Sequence, residues 1–251
     1  FSDGTRAEGG LLYTHDGDKL QIRVAEANRM IVDENSRINL SNNGGTSNTV
    51  FGYLACNFTN AGQHVAVGHK AMEGHSTAGD NTALYNVAIG YNSLGGNQGD
   101  SVALTGDNNV SVGHSSMRQW STGDNNTAVG AAALLACTSG GSNVAIGKNA
   151  AIALTTANRT IFIGEVAGDA VTVTNSGDSD GTVGIGYDAL GALTSGIGNV
   201  AIGSGSMAAL TTGLYNTALG TNALGTNIDG DGNTAVGYQA LKTFEAASDG
   251  Q

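Results

Sequence analysis

From residue 48 to residue 241 the chain alternates β-branched and small residues in one nine-residue word: Asn, Thr or Val, Ala, Val or Ile, Gly, two variable residues, Ala or Ser, then Leu or Met. The word recurs eleven times, on the anchor glycines Gly52, Gly68, Gly90, Gly113, Gly130, Gly147, Gly164, Gly186, Gly203, Gly220 and Gly237. Successive anchors stand 16, 22, 23, 17, 17, 17, 22, 17, 17 and 17 residues apart, so the period is 17. Insertions of five or six residues fall near 73–85, 95–108 and 169–181. Self-similarity at a fixed period of this size marks a solenoid, in which each copy is one coil and the coils stack along an axis.

The columns of the word carry the local physics. One residue before the anchor every copy is apolar, and nine of eleven are β-branched (Val67, Ile89 and Ile146 among them). Three before it stand Thr49, Val65, Val87, Val110, Thr127, Val144, Ile161, Val183, Val200, Thr217 and Thr234. This spacing of two predicts one short strand per coil, with the β-branched face toward a core. The residue between them is Ala in seven copies, which predicts that the opposite face is pinched against something as well. Three after the anchor stands Ala or Ser, and four after it usually Leu or Met, which predicts a second short strand with one large core residue. The anchor itself supplies a positive φ or room for a nearby backbone. Connectors such as 105–108, 122–125 and 212–215 read as tight turns. Four before the anchor, Asn48, Asn86, Asn109, Asn126, Asn143, Asn199, Asn216 and Asn233 either stack as a side-chain amide ladder or satisfy turn backbone.

Composition agrees with a coil of small residues. The 251 residues include 40 glycines and no proline, and hydrophobic residues reach 40% while charged ones are only 12%. That combination folds, because low charge does not come here with the low hydrophobicity of a disordered chain. The lack of proline fits interior strands bonded on both sides, which cannot spare an N–H. Ten Lys and Arg against 21 Asp and Glu give a net charge of −11, a field that repels phosphate backbones and anionic headgroups. Nucleic acid is therefore excluded as a partner, and no apolar run approaches the roughly 18 residues of a membrane span. The first residues lack the layout of a signal peptide, and a start at Phe1 predicts a processed product or a piece of something longer.

Coils built from side chains this small have a thin interior. The prediction is a homo-oligomer with threefold symmetry, its protomers stabilised against each other through the pinched alanine face. Eleven coils at about 4.8 Å make a rod of roughly 50 Å. Residues 1–45 differ in kind. Four short strands at 11–13, 19–24, 29–32 and 37–40, divided by turns at 15–18, 25–28 and 34–36, predict a small β-meander module ahead of the repeat region at 46–251.

The stretches Asn126-Thr127-Ala128-Val129-Gly130, Asn216-Thr217-Ala218-Leu219-Gly220 and Asn233-Thr234-Ala235-Val236-Gly237-Tyr238-Gln239-Ala240-Leu241 resemble the head repeats of YadA-like trimeric adhesins and related repeats in phage tail fibres. The resemblance covers residues 48–241. It implies an all-β fold, a left-handed parallel β-roll or β-solenoid three chains wide, in an extracellular fibre that touches host surfaces. Bacterial adhesin heads use a shorter repeat, near 14, so the 17-residue period looks more like the viral variant. The strand layout of the first 45 residues likewise looks like the small module that precedes such repeats in phage fibre shafts. At the other end, residues 246–251 look like a connector, so the parent chain is expected to continue.

Catalytic chemistry does not assemble from the sequence. His15, His64, His69, His75 and His114 have no second ligand at metal spacing and no Ser and Asp in a triad arrangement. His69 and His114 occupy the position after the anchor, elsewhere Tyr53, Tyr91, Tyr187 or Tyr238, and read as surface residues. Cys56 and Cys137 lack a CxxC partner and read as small core or surface residues. The stretch 95–100 faintly resembles a calcium β-roll word, once and off the period. Trp120 in a connector either stacks on a sugar ring or packs over the flank of the rod. Candidate recognition residues are thus Trp120, Tyr91, Tyr187 and Tyr238, with the three long connectors either recognising a target or only thickening the fibre.

The reading is a non-enzymatic structural and adhesive fibre protein of a phage or virus, extracellular and belonging to a virion. It needs no cofactor or metal. Its partners are its own copies, other virion proteins and a host cell-surface glycan or protein. The head of a bacterial trimeric autotransporter, or a monomeric calcium- or ice-binding solenoid, are the alternatives. With Thr at only four of eleven places in its column, an ice-binding row is disfavoured.

Overall fold

The structure is a computed structural model that describes residues 9–14, 19–24, 27–32, 38–39, 48–56, 62–73, 81–96, 104–172 and 180–243. All regular structure among them is β, in two sheets. Strands β1 (Gly9–Thr14), β2 (Lys19–Val24), β3 (Ala27–Val32) and β4 (Ile38–Asn39) pair antiparallel in chain order. The register of β2 on β3 shifts between Ile22 and Arg23, a bulge. Residues 27 and 28, read as turn from the sequence, belong to β3. The turns at 15–18 and 34–36 lie outside the described residues.

The second sheet contains one strand from every repeat, in strict chain order and all parallel: a β-solenoid. Its strands are β5 (Thr49–Phe51), β6 (Val65–Val67), β7 (Val87–Ile89), β8 (Val110–Val112), β9 (Thr127–Val129), β10 (Val144–Ile146), β11 (Ile161–Ile163), β12 (Val183–Ile185), β13 (Val200–Ile202), β14 (Thr217–Leu219) and β15 (Thr234–Val236). Register follows the word, so Val144 sits beside Thr127 and Ile161, and Ala145 beside Ala128 and Phe162.

The two strand faces are the reverse of the sequence expectation. The middle residue is enclosed: Ala66, Ala88, Ala128, Ala145, Ala201 and Ala218 are fully buried. The β-branched residues on either side of it point outward and are only half-buried or exposed. The interior is narrow, so the smallest side chain goes in and the large branched ones go out. Size was a poor guide to burial here.

What fills the interior comes from the other wall of the coil. Met72, Leu94, Met117, Leu134, Leu190, Met207 and Leu224, four after their anchors, are fully enclosed. A further file, seven after the anchor, contributes Trp120, Cys137, Leu154, Leu193 and Leu210, again fully enclosed. No second strand carries these residues. After the anchor the chain makes successive four-residue turns instead. In one coil Ala71 N–H donates to Gly68 C=O at 3.3 Å, and Glu73 N–H to Lys70 C=O at 3.2 Å. Positive φ at the third residue of each, 60° at Lys70 and 53° at Met72, is the mark of type II geometry. The same pair of positive-φ residues recurs in every coil, as at Ala132 and Leu134 or Asn222 and Leu224.

Backbone groups in the turns bond between coils as well as within them. Leu134 N–H reaches Ala150 C=O in the next coil at 3.0 Å, while Ala132 N–H reaches His114 C=O in the preceding one at 2.9 Å. The connectors behave the same way. Thr122 N–H donates forward to Thr138 C=O and Asn125 N–H back to Asp107 C=O, so their donors are satisfied by neighbouring coils rather than by a closed turn.

Candidate functional site

Two files of residues keep the coils in register. All eleven anchor glycines have φ between 123° and 141°, a region that costs any other residue dearly. A Cβ on Gly130 would collide with the carbonyl oxygen of Gly147 in the next coil, and the same holds from Gly52 through Gly220. Both roles read from the sequence, positive φ and close backbone approach, therefore act at once. The glycines of the connectors, Gly106, Gly123, Gly140, Gly196 and Gly213, form a second file by close approach alone, without positive φ, each facing the carbonyl oxygen of its counterpart one coil on.

The asparagines do both jobs that the sequence left open. Asn109 Nδ2 donates to Asn86 Oδ1 at 3.1 Å, Asn126 Nδ2 to Asn109 Oδ1 at 3.1 Å, and Asn216 Nδ2 to Asn199 Oδ1 at 3.1 Å. Each Oδ1 also accepts the backbone N–H of the next member, as in Asn143 N–H to Asn126 Oδ1 at 2.9 Å. Six of the asparagines, Asn86, Asn109, Asn126, Asn143, Asn199 and Asn216, also donate from Nδ2 to the connector file, as in Asn126 to Gly140 C=O at 2.8 Å. Thr160 fills one place of the ladder, its N–H and hydroxyl both donating to Asn143 Oδ1. A buried amide this fully bonded fixes register, since shifting a coil would strand several polar groups at about 1–3 kcal/mol each.

The outward face of the sheet is an extended apolar surface of the described coils. Two files, three and one before the anchors, run along all eleven strands without a single charged side chain. Phe51, Ile89, Ile146, Ile202, Leu219 and Val236 are exposed. At roughly 50 Å by 10 Å the strip offers about 500 Å², near the upper limit of apolar patches on monomers.

Beside it, one after each anchor, runs the file containing three of the four candidate recognition residues. Tyr91, Tyr187 and Tyr238 are exposed, by 44%, 59% and 74%. Tyr91 belongs to a continuous column of Tyr53, His69, Tyr91 and His114, with ring centroids 5.6, 5.2 and 5.3 Å apart, the outer two pairs stacked and the middle pair tilted by 38°. The column ends at Ala131, and the next two members form the exposed pair Lys148 to Glu165 at 3.0 Å. Tyr187 and Tyr238 stand apart from it.

Trp120, the fourth candidate, is corrected. It is fully enclosed in the interior, and its Nε1–H donates to Gly123 C=O at 2.8 Å. The room comes from Gly106, where a Cβ would stand 2.7 Å from Nε1. A sugar has no access to it. Both cysteines are buried free thiols, and burial pushes the Cys56 thiol up to about 11 and the Cys137 thiol up to about 12. Residues 74–80, 97–103 and 173–179, the middle of each long connector, lie outside the described residues, as do His15 and His75. Among the described residues no three His, Cys, Asp or Glu side chains gather where they could hold a metal ion.

The geometry is therefore that of a scaffold with an extended apolar face and an aromatic margin. No protein-family model, no curated protein and no solved structure matches the chain.

Proposed function

We propose that the protein is a structural and adhesive fibre component of a phage or virus, a left-handed homotrimeric rod without catalysis. The observation that carries the oligomeric rod is the outward face: two uncharged β-branched files along eleven strands, in a chain that places alanine rather than valine in its own interior. Such a strip gains about 25 cal/mol per Å² when it leaves water, on the order of 10 kcal/mol for each protomer. Other copies of the chain are the natural cover, because they carry the same straight strip at the same coil repeat. The resemblance to trimeric adhesin and tail-fibre repeats sets the number at three, and the 17-residue period favours the viral form. In this arrangement the Val and Ile strip, not the alanine file, is the contact between protomers.

The rod would display its Tyr file at the margin of that contact, where a host cell-surface glycan or protein is met. The test is a screen of the fluorescently labelled full chain against immobilised cell-surface glycans and whole bacterial cells. Binding weakened by the combined change of Tyr91, Tyr187 and Tyr238 to Ala supports an attachment role. Binding to nothing across a broad panel, or binding unaffected by those changes, contradicts the assigned surface.

A further inference from the structure

One coil breaks the asparagine ladder with a titratable group. His64 occupies the place of asparagine in the coil of Gly68 and is almost completely buried. Its own N–H donates to Asn48 Oδ1 at 2.8 Å in the preceding coil. Its Nδ1 accepts the backbone N–H of Asn86 in the following coil, at 3.2 Å. An imidazole can accept there only while Nδ1 is unprotonated, so the ring's proton belongs on Nε2. Asparagine at the same place gives an acceptor oxygen that has no protonation state to lose.

We propose that His64 makes the first coils an acid-sensitive clasp: protonation at Nδ1 turns two donors against each other at Asn86 and opens β5, β6 and β7, while the coils laddered by asparagine from Asn109 onward stay closed. The ladder neighbours Asn48 and Asn86 carry no charge, but backbone hydrogen bonds to the ring from Ala83 and, more weakly, from Asn86 favour the cation. The charge that acts on the ring is that of Asp107, which favours the protonated form and partly opposes burial. Burial is the larger influence and holds the imidazole below its ordinary value. A base held low when folded stabilises the fold above its unfolded value of about 6.5, and that stability is lost as pH falls from there through the folded value.

Hydrogen exchange of the full chain at pH 7.5 and pH 5, corrected for intrinsic rates, tests this. Protection at Val65, Asn86 and Val87 should fall by up to tenfold per pH unit below about 6.5, with Val144, Ile161 and Val200 unchanged. His64→Asn should remove the difference while leaving protection at pH 7.5 intact. Equal losses in wild type and His64→Asn, or no loss in wild type, would overturn the proposal. Should His64→Asn fail to fold, a ¹⁵N titration of the wild-type imidazole decides: Nδ1 unprotonated well below pH 6 supports the clasp, and titration at 6.5 or above sinks it.

Discussion

The coil of Gly164 offers a quantitative test of how the interior is packed. Phe162 stands where most coils have Ala, and it is fully buried. Two glycines make room for it. Gly168 takes the place of the usual Leu or Met, and a Cβ there would collide with Cε1 of the phenyl ring; a Cβ on Gly184, beside Phe162 on β12, would stand 2.9 Å from Cδ1. The ring thus fills a volume that other coils fill from the opposite wall. Phe162→Ala alone removes about six carbons and should cost about 3–5 kcal/mol. Gly168→Leu alone overpacks and should cost at least about 1–3 kcal/mol. The triple change Phe162→Ala, Gly168→Leu and Gly184→Ala loses roughly six carbons and regains about five, restoring the common word. Leu at this φ is already borne by Leu94, Leu134, Leu190 and Leu224. The triple variant should therefore lie within about 2 kcal/mol of wild type, a coupling of at least about 2 kcal/mol. Denaturant unfolding at one fixed protomer concentration measures it. A triple variant as unstable as the sum of its single changes would refute this account of the interior.

Other outcomes follow from single sites. Gly237→Ala meets nothing within 4 Å and should cost only the φ penalty, about 1–3 kcal/mol, whereas Gly130→Ala must also push neighbouring coils apart and should lower the midpoint much further in the same unfolding assay. At pH 8 neither Cys56 nor Cys137 should react with a thiol reagent until denaturant is added, because their raised values leave little thiolate and burial blocks access; rapid native labelling would contradict this. Burial holds the carboxyls of Asp188 and Asp169 above their ordinary value, Asp169 also through the charge of Asp188. Protonation is favoured by the fold, so Asp188→Asn should raise the melting temperature at pH 7, and the gain should shrink as pH falls through the carboxylate range.

The architecture was legible because stacking makes every coil answer to the same geometry. A glycine at one φ, or an asparagine bonded to its own image, must recur at the coil period, and so it shows in the letters. The interior was harder. Valine against alanine suggests an inside and an outside, yet Ala145 is enclosed and Ile146 exposed, because the space left between strand and turns is set by the opposite wall. The file of Trp120, Cys137, Leu154 and Val171 varies so much in size that no single residue type marks it; its constant place, seven after the anchor, was the available signal. The turns hid for another reason. Leu, Met and even Val166 adopt positive φ there, where glycine or asparagine would have advertised it, since bonds to both neighbouring coils hold the conformation. Of the site, the Tyr file was visible as a variable column, while the ring contact of Tyr53, His69, Tyr91 and His114 depends on side-chain directions that the period alone does not fix.

Everything proposed about assembly turns on whether the outward Val and Ile strip is covered by further copies of the chain. Sedimentation equilibrium of the full chain at low micromolar concentration tests that most directly. Three protomers of 25.0 kDa should sediment together as one species of about 75 kDa, and Ile146→Asp with Ile202→Asp should break it apart. A folded species of 25.0 kDa, indifferent to those two charges, would contradict the account.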